Sequence, residues 1–393
     1  MSNVAVDDSP VAVLVVGMHR SGTSALTRLV SILDVALPQS MLPAAEDNPL
    51  GFFEPSDLVE LDERILQTFG LGWADIEPLQ DPAAKVRAHP ELVREVARVI
   101  DAEFGPAPHI VIKDPRLARV LPFVVPALDL HGRRTVALLP YRDAWEVAGS
   151  LAARDGMTRS HATALWLRYL LDAELNTRGL PRAFCRFDEL LDAPVETASR
   201  LVEQTALLAP AAVTSRADCI EAVIAADQRH HQRRPGQAGL AQEWLNDLLA
   251  AFDRLAVDGY DAEALARIDE IRAAFDAGAP LLSAAQHEHA AATEELRTEF
   301  AARKALSEAE RVTLAAQLEH AVAERDDARS RLRNTRGLLR QARQQLRTTR
   351  VQIRRTRREL QEATEALQRR PSHRLRRLAV EAARRARLRA RRR

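Results

Sequence analysis

The chain has 393 residues, enough for two or three structural units. Its 56 basic and 55 acidic side chains give a formal net charge of only +1, but the total hides a split: residues 281–393 carry net +15 and residues 1–280 net −14. Two cysteines, Cys185 and Cys219, exclude a disulfide framework and a cysteine-rich zinc site, and no run approaches the roughly 20 apolar residues of a spanning helix.

The acidic N-terminal segment lacks a basic n-region, and the apolar run over 11–16 is too short for a signal sequence. The expectation is a cytoplasmic protein with reduced thiols, with peripheral attachment to the inner face of the membrane left open. Arginine outnumbers lysine 53 to 3, so Lys85, Lys113 and Lys304 are positions where the prevailing cation was not used.

Residues 11–17, Val-Ala-Val-Leu-Val-Val-Gly, predict a buried strand ending on glycine. A helix should follow from about Thr23, with Leu26, Leu29, Val30 and Leu33 on one face. A proline-rich connection covers 38–56, then helices are predicted near 57–70 and 84–104. A second strand is expected over 109–112, a helix over 117–130 and a third strand over 134–139. Helices near 143–155 and 158–178 lead to a fourth strand over 182–187, and the chain reads as helical to about 278. Strands alternating with helices predict an α/β domain with a mainly parallel sheet. Its ligands should lie beyond the carboxyl ends of the strands.

From about 284 the pattern changes. Pro371 is the only proline after Pro280, and Gly337 the only glycine after Gly278. Leu318, Arg325, Leu332, Leu339, Leu346, Ile353, Leu360 and Leu367 recur every seven residues. Small residues stand three positions after each of the first seven, from Ala321 to Ala363. This is a heptad seam. The plan is an α/β domain over 1–280, a long helical coiled coil over 281–370 and a basic tail over 371–393.

The first strand runs into Gly17-Met-His-Arg-Ser-Gly-Thr-Ser24 and then a helix. Gly17 and Gly22 allow tight turns and close backbone approach to an anion. The helix N-terminus offers free N–H groups and partial positive charge. Arg20, Ser21, Thr23 and Ser24 can add side-chain donors. The spacing is that of a Walker-type loop, but Thr23 stands where the lysine of a nucleotide triphosphatase belongs. Later on, Arg142 ends the third strand, and Ser150 follows eight residues on, about two helical turns. A guanidinium and a hydroxyl so placed can converge on one phosphate.

The motif Arg20-Ser-Gly-Thr-Ser24 resembles that of the sulfotransferase family, which uses 3′-phosphoadenosine 5′-phosphosulfate as sulfuryl donor. So does the Arg142–Ser150 spacing. The sequence is similar to bacterial members that also carry Asn48-Pro-Leu-Gly-Phe-Phe-Glu54 and Lys113-Asp-Pro-Arg116, and the likeness spans about 11–210. The resemblance implies a P-loop-type three-layer sandwich. It also implies that Gly17 to Ser24 hold the donor's 5′-phosphate, while Arg142 and Ser150 hold its 3′-phosphate. It further implies Lys113 near the transferred group; sulfuryl transfer does not require a metal, and the sequence offers no convincing ligand cluster. Cytosolic members place a histidine two residues after that lysine, but Pro115 stands here, so the base must lie elsewhere. Glu54, behind two aromatics, is the first candidate and Asp114 the second. An ion pair with Asp114 is the plain alternative for Lys113. Arg116 is a candidate clamp, and Trp145 either stacks on adenine or sits in the core. His230-His231 reads as surface rather than metal site, and Arg233-Arg-Pro-Gly-Gln-Ala-Gly239 is a loose match to a phosphate-closing loop.

The expected reaction is sulfuryl transfer to a hydroxyl of a glycan, glycoconjugate or small molecule. An ATP-dependent P-loop kinase and a non-catalytic coiled-coil scaffold with a degenerate site remain alternatives. Residues 328–358 contain 12 arginines and no acid, in a repeat of the form Arg-x-x-Leu-Arg-x-Thr/Ala. The expected partners of this arm are further copies of the chain and an anionic membrane surface. Aromatics are absent after Phe300, which argues against nucleic acid.

Overall fold

The structure is a computed structural model that describes residues 9–44, 48, 51–224, 242–368 and 373–391. The chain divides into two compact units, Met1–Ala292 and Thr293–Arg393.

The first unit is built on four strands: β1 (Val11–Val15), β2 (His109–Lys113), β3 (Arg134–Tyr141) and β4 (Arg182–Arg186). They form one parallel sheet in the order β2-β1-β3-β4. Between β1 and β2 lie α1 (Thr23–Ile32), α2 (Ser56–Thr68), α3 (Pro82–Ala88) and α4 (Pro90–Phe104). Helix α5 (Leu117–Leu130) joins β2 to β3, and α6 (Ala144–Asp155) and α7 (Arg159–Asn176) join β3 to β4. Then come α8 (Phe187–Asp192), α9 (Pro194–Thr205), α10 (Ala211–Thr214), α11 (Ala217–Val223) and α12 (Gln242–Asp258). Helix α13 (Ala262–Gln368) starts in the first unit and ends in the second, which also holds α14 (His373–Ala390).

Every residue of β1 is buried, as a strand covered on both faces must be. Ala12 and Leu14 join the core formed with α2, α4, α5, α6, α7 and α12. Val11, Val13 and Val15 point the other way, into a second core with α1, α8, α9 and α11. Helices on two faces of one parallel sheet make a three-layer α/β/α sandwich; the strand–helix alternation predicts the α/β class and the parallel sheet, and the resemblance implies the three layers.

The expected helix over 84–104 is two helices. Pro90 opens α4, and His89 before it leaves helical geometry at φ −125°, ψ 58°, because a residue preceding proline is pushed out of the α region. In the second unit, residues 294–368 of α13 are exposed throughout. The seam leucines lie open on this surface, Leu332 at 52 % and Leu346 at 58 % exposure.

Candidate active site

The chain steps from β1 to β2 on one side and reaches β3 on the other, so the carboxyl end of β1 lies at the switch in strand order. Open parallel sheets bind ligands at that place. The Gly17–Ser24 loop occupies it. Arg20 and Gly22 both adopt left-handed backbone, at φ 67° and 90°. For arginine this costs on the order of 1 kcal/mol. Gly22 is the N-cap of α1 and supplies no side-chain cap, so the first N–H groups of the helix face the loop's concavity uncapped.

Both loop glycines are also needed for space. A Cβ on Gly22 would stand 2.3 Å from Phe187 Cδ2, and one on Gly17 would stand 2.7 Å from the Pro140 carbonyl oxygen on β3. The Ser21 hydroxyl is fully buried and has no hydrogen-bond partner. A buried orphan of this kind costs about 1–3 kcal/mol, and an anion in the loop would satisfy it.

Two cationic poles flank the loop. At the first, Arg20 Nε donates to Ser150 Oγ at 2.8 Å. Arg142 Nη1 donates to the Arg20 carbonyl at 3.4 Å, Nε donates to Glu146 Oε2 at 2.7 Å, and the guanidinium lies 4.6 Å from the Phe187 ring centre. Arg20 from the loop therefore meets both Arg142 and Ser150 from the β3–α6 segment. At the second pole, Lys113 at the end of β2 is only 2 % exposed. Its Nζ donates to the Phe52 carbonyl at 2.8 Å, to Ser24 Oγ at 3.3 Å, and to Glu54 Oε1 in a close ion pair. Thr23 is buried at the first turn of α1. Asn48 Nδ2 braces the Phe52 turn by donating to the Gly51 carbonyl at 2.7 Å.

Burial, opposed by Lys113, raises the Glu54 carboxyl above its ordinary range, with Asp114 adding to the rise. Burial likewise lowers Lys113 below the usual lysine range, against the pull of Glu54. Lys113 thus pairs with Glu54 rather than with its neighbour Asp114. Asp114, the residue after β2, turns instead to Arg116. Its Oδ1 accepts from Arg116 N and Nη1, both at 3.0 Å, and Arg116 Nε donates to Glu63 Oε2 at 2.9 Å. Arg116 is therefore held by two carboxylates.

Three features escaped the sequence reading. Asp62 is fully buried beside Asp114, and neither Asp62 oxygen nor Asp114 Oδ2 receives a donor from another residue. Burial, then Asp114, pushes Asp62 well above the carboxylate range, which favours its protonated form. His19, 8 % exposed, contacts Trp73 and Tyr169 edge-on, and its Nε2 has no partner. Burial, then Arg116, Arg154, Lys113 and Arg20, holds its imidazole well below the usual value, hence neutral. Phe187 closes over the loop at the end of β4. Of the three, only Phe187 had a sequence signal, as an aromatic at a strand end.

Trp145 is half-buried against the core and donates from Nε1 to Gln242 Oε1 at 3.1 Å. His230-His231, the 233–239 loop, Pro49 and Leu50 lie outside the described residues.

No family model matches the sequence, and no curated protein matches it. Among solved structures, the chain is similar to the sulfotransferase domain from the Synechococcus PCC 7002 olefin synthase, at 16 % identity and a TM-score of 0.36, over 61 % of this chain and 94 % of that one. It is also similar to the sulfotransferase domain from the curacin biosynthetic pathway, at 14 % identity and a TM-score of 0.33, over 61 % of this chain and 98 % of that one.

Proposed function

We propose that the first unit is a sulfotransferase that moves a sulfuryl group from 3′-phosphoadenosine 5′-phosphosulfate to a hydroxyl of a glycan or glycoconjugate. The observation that carries this reading is the pair of cationic poles on one loop, Arg20–Arg142–Ser150 on one side and Lys113–Ser24 on the other. A donor with phosphates at both ends of a nucleoside suits two separate anion sites. The orphaned Ser21 hydroxyl and the uncapped start of α1 suit its 5′-phosphate.

In this reading the donor, when bound, supplies the sulfuryl group and a phosphate leaving group. Gly17 and Gly22 keep the loop backbone close to that phosphate, and Ser21, Thr23 and Ser24 add donors. Arg142 and Ser150 hold the 3′-phosphate, with Arg20 fixing the serine. Lys113 Nζ leaves Glu54 to stabilise charge on the sulfuryl oxygens and the leaving phosphate. Glu54 takes the acceptor's hydroxyl proton as the new S–O bond forms and the S–O bond to phosphate breaks. Its raised pKa suits a proton acceptor, and Asp114 is held away from that task by Arg116.

Isothermal titration with 3′-phosphoadenosine 5′-phosphate tests the reading. Binding without magnesium is expected, weakened on the order of a hundredfold by Arg142→Ala, as for a lost charged hydrogen bond. Binding of ATP with magnesium, and none of the bisphosphate, would overturn it in favour of a kinase. Glu54→Gln should retain the bisphosphate and lose turnover.

A further inference from the structure

The heptad seam extends further toward the N-terminus than the leucine run suggests, and it changes character there. Stepping back by sevens from Leu318, the large-residue line continues as Arg311, Lys304 and Arg297. The small-residue line continues from Ala321 as Leu314, Ser307 and Phe300. Residues 294–368 form uninterrupted exposed helix, so both lines stand open to solvent. A helix of this length with an unburied apolar stripe is not stabilised by its own packing.

A parallel, in-register partner would set each of these cations against its own copy. Arg297, Lys304, Arg311 and Arg325 would each meet an identical charge in the seam, and Arg331 would face Arg336 across it. Both arrangements place like charges together.

Reversing one helix removes every such clash in one register. We propose that residues 293–360 pair with a second copy of this chain as an antiparallel coiled coil centred between Asp326 and Asp327. In that register each residue of the large line meets one of the small line. Leu332 meets Ala321, Leu339 meets Leu314, and Ile353 meets Phe300. The four seam cations, Arg297, Lys304, Arg311 and Arg325, then face Thr356, Thr349, Ala342 and Ala328, none of them charged. Along the flanks, Arg343 meets Glu308, Arg357 meets Glu294 and Arg331 meets Glu324, with no like pair among these positions. Two-fold symmetry makes each pairing twice. The arginine-only stretch 328–358 thus lies along the acid-bearing stretch 294–327 of its partner, which holds nine acids and five basic residues. Within one chain Glu308 and Glu294 have only looser neighbours, Arg311 at 3.4 Å and Arg297 at 3.7 Å.

Spin-label distances on the full chain test the orientation. Cys219, exposed, is replaced by serine, while Cys185 is buried and unreactive. Single labels are placed at Ser330→Cys or Gln344→Cys, both on the outer face of the helix. Antiparallel pairing puts the two copies of position 330 about 10 Å apart along the axis and those of position 344 about 50 Å apart. Equal short distances at both positions would overturn the proposal in favour of a parallel coil. A monomer in sedimentation at tens of micromolar would also overturn it, including one that binds phosphatidylserine vesicles through this arm. For the register, Arg343→Glu should weaken the dimer on the order of tenfold, and adding Glu308→Arg should restore it. Failure of the double variant to recover would overturn the register.

Discussion

The arginines of the two units stand in contrast. In the first unit the buried arginines Arg119, Arg142 and Arg168 are each held by particular tertiary partners. Buried Arg168 donates to the Ile76 carbonyl at 2.7 Å and pairs with Asp172 and Asp276. Fully buried Glu174 gathers Arg178, Arg182 and Arg272. In the second unit Arg336, Arg343 and Arg350 are exposed and recur at a fixed interval. Meaning therefore lies in tertiary position in one region and in period in the other. Single substitutions should act strongly in the first and weakly in the second.

The sharpest break comes from Lys113→Ala. It strands the buried Glu54 carboxylate, and losing one partner of a buried pair costs roughly 3–5 kcal/mol. Denaturant unfolding should show this, and Lys113→Met with Glu54→Gln should recover most of it. Arg347→Ala in the arm should change stability by less than about 0.5 kcal/mol in the same measurement.

The glycines sharpen the contrast further. Gly22→Ala combines a left-handed backbone with the Phe187 clash, so a loss of about 3 kcal/mol is expected. Gly337, mid-helix with open space around its Cβ position, should instead gain about 1 kcal/mol of helix stability as alanine. Ser150→Ala removes the hydroxyl that accepts from Arg20 Nε and should weaken bisphosphate binding on the order of tenfold in titration, about 1.4 kcal/mol.

A further effect concerns pH. Asp62 has a folded pKa raised above its unfolded value, so the folded state holds a proton that the unfolded chain releases. The resulting stability is full below the unfolded value and is lost as pH rises through the folded one. Asp62→Asn keeps a donor toward Asp114 and abolishes that loss. Its melting temperature should exceed that of the native chain by a few degrees at pH 8 and not at pH 4. A constant difference across pH would refute a protonated Asp62.

Much of the fold was legible because it follows from local rules. Short apolar runs gave four buried strands, and glycines with hydroxyls after the first gave the loop. The Arg142–Ser150 spacing placed both residues at the first pole, whereas the reading of one helix over 84–104 missed the break that Pro90 imposes. What sequence left open depends on packing between distant segments. Lys113 and Glu54 are 59 residues apart, and nothing local favours that carboxylate over the adjacent Asp114. Asp62 reads as an ordinary helix acid until α2 is laid against β2. His19 reads as one more loop residue until Trp73 and Tyr169 enclose it.

Gly17 has a further consequence. Its backbone lies so near the Pro140 carbonyl that no Cβ fits between them, and Val16 N donates to the Leu138 carbonyl at 2.9 Å, which ties the start of the loop to β3. Arg142 comes two residues after Pro140, so its distance from the loop is set by the sheet rather than by side-chain freedom. On the proposed reading the domain is a fixed calliper, one jaw at Gly22 and the other at Arg142, and ligands are sorted by the span between their phosphates as well as by charge. A nucleotide carrying all its phosphates at one end would reach one jaw only.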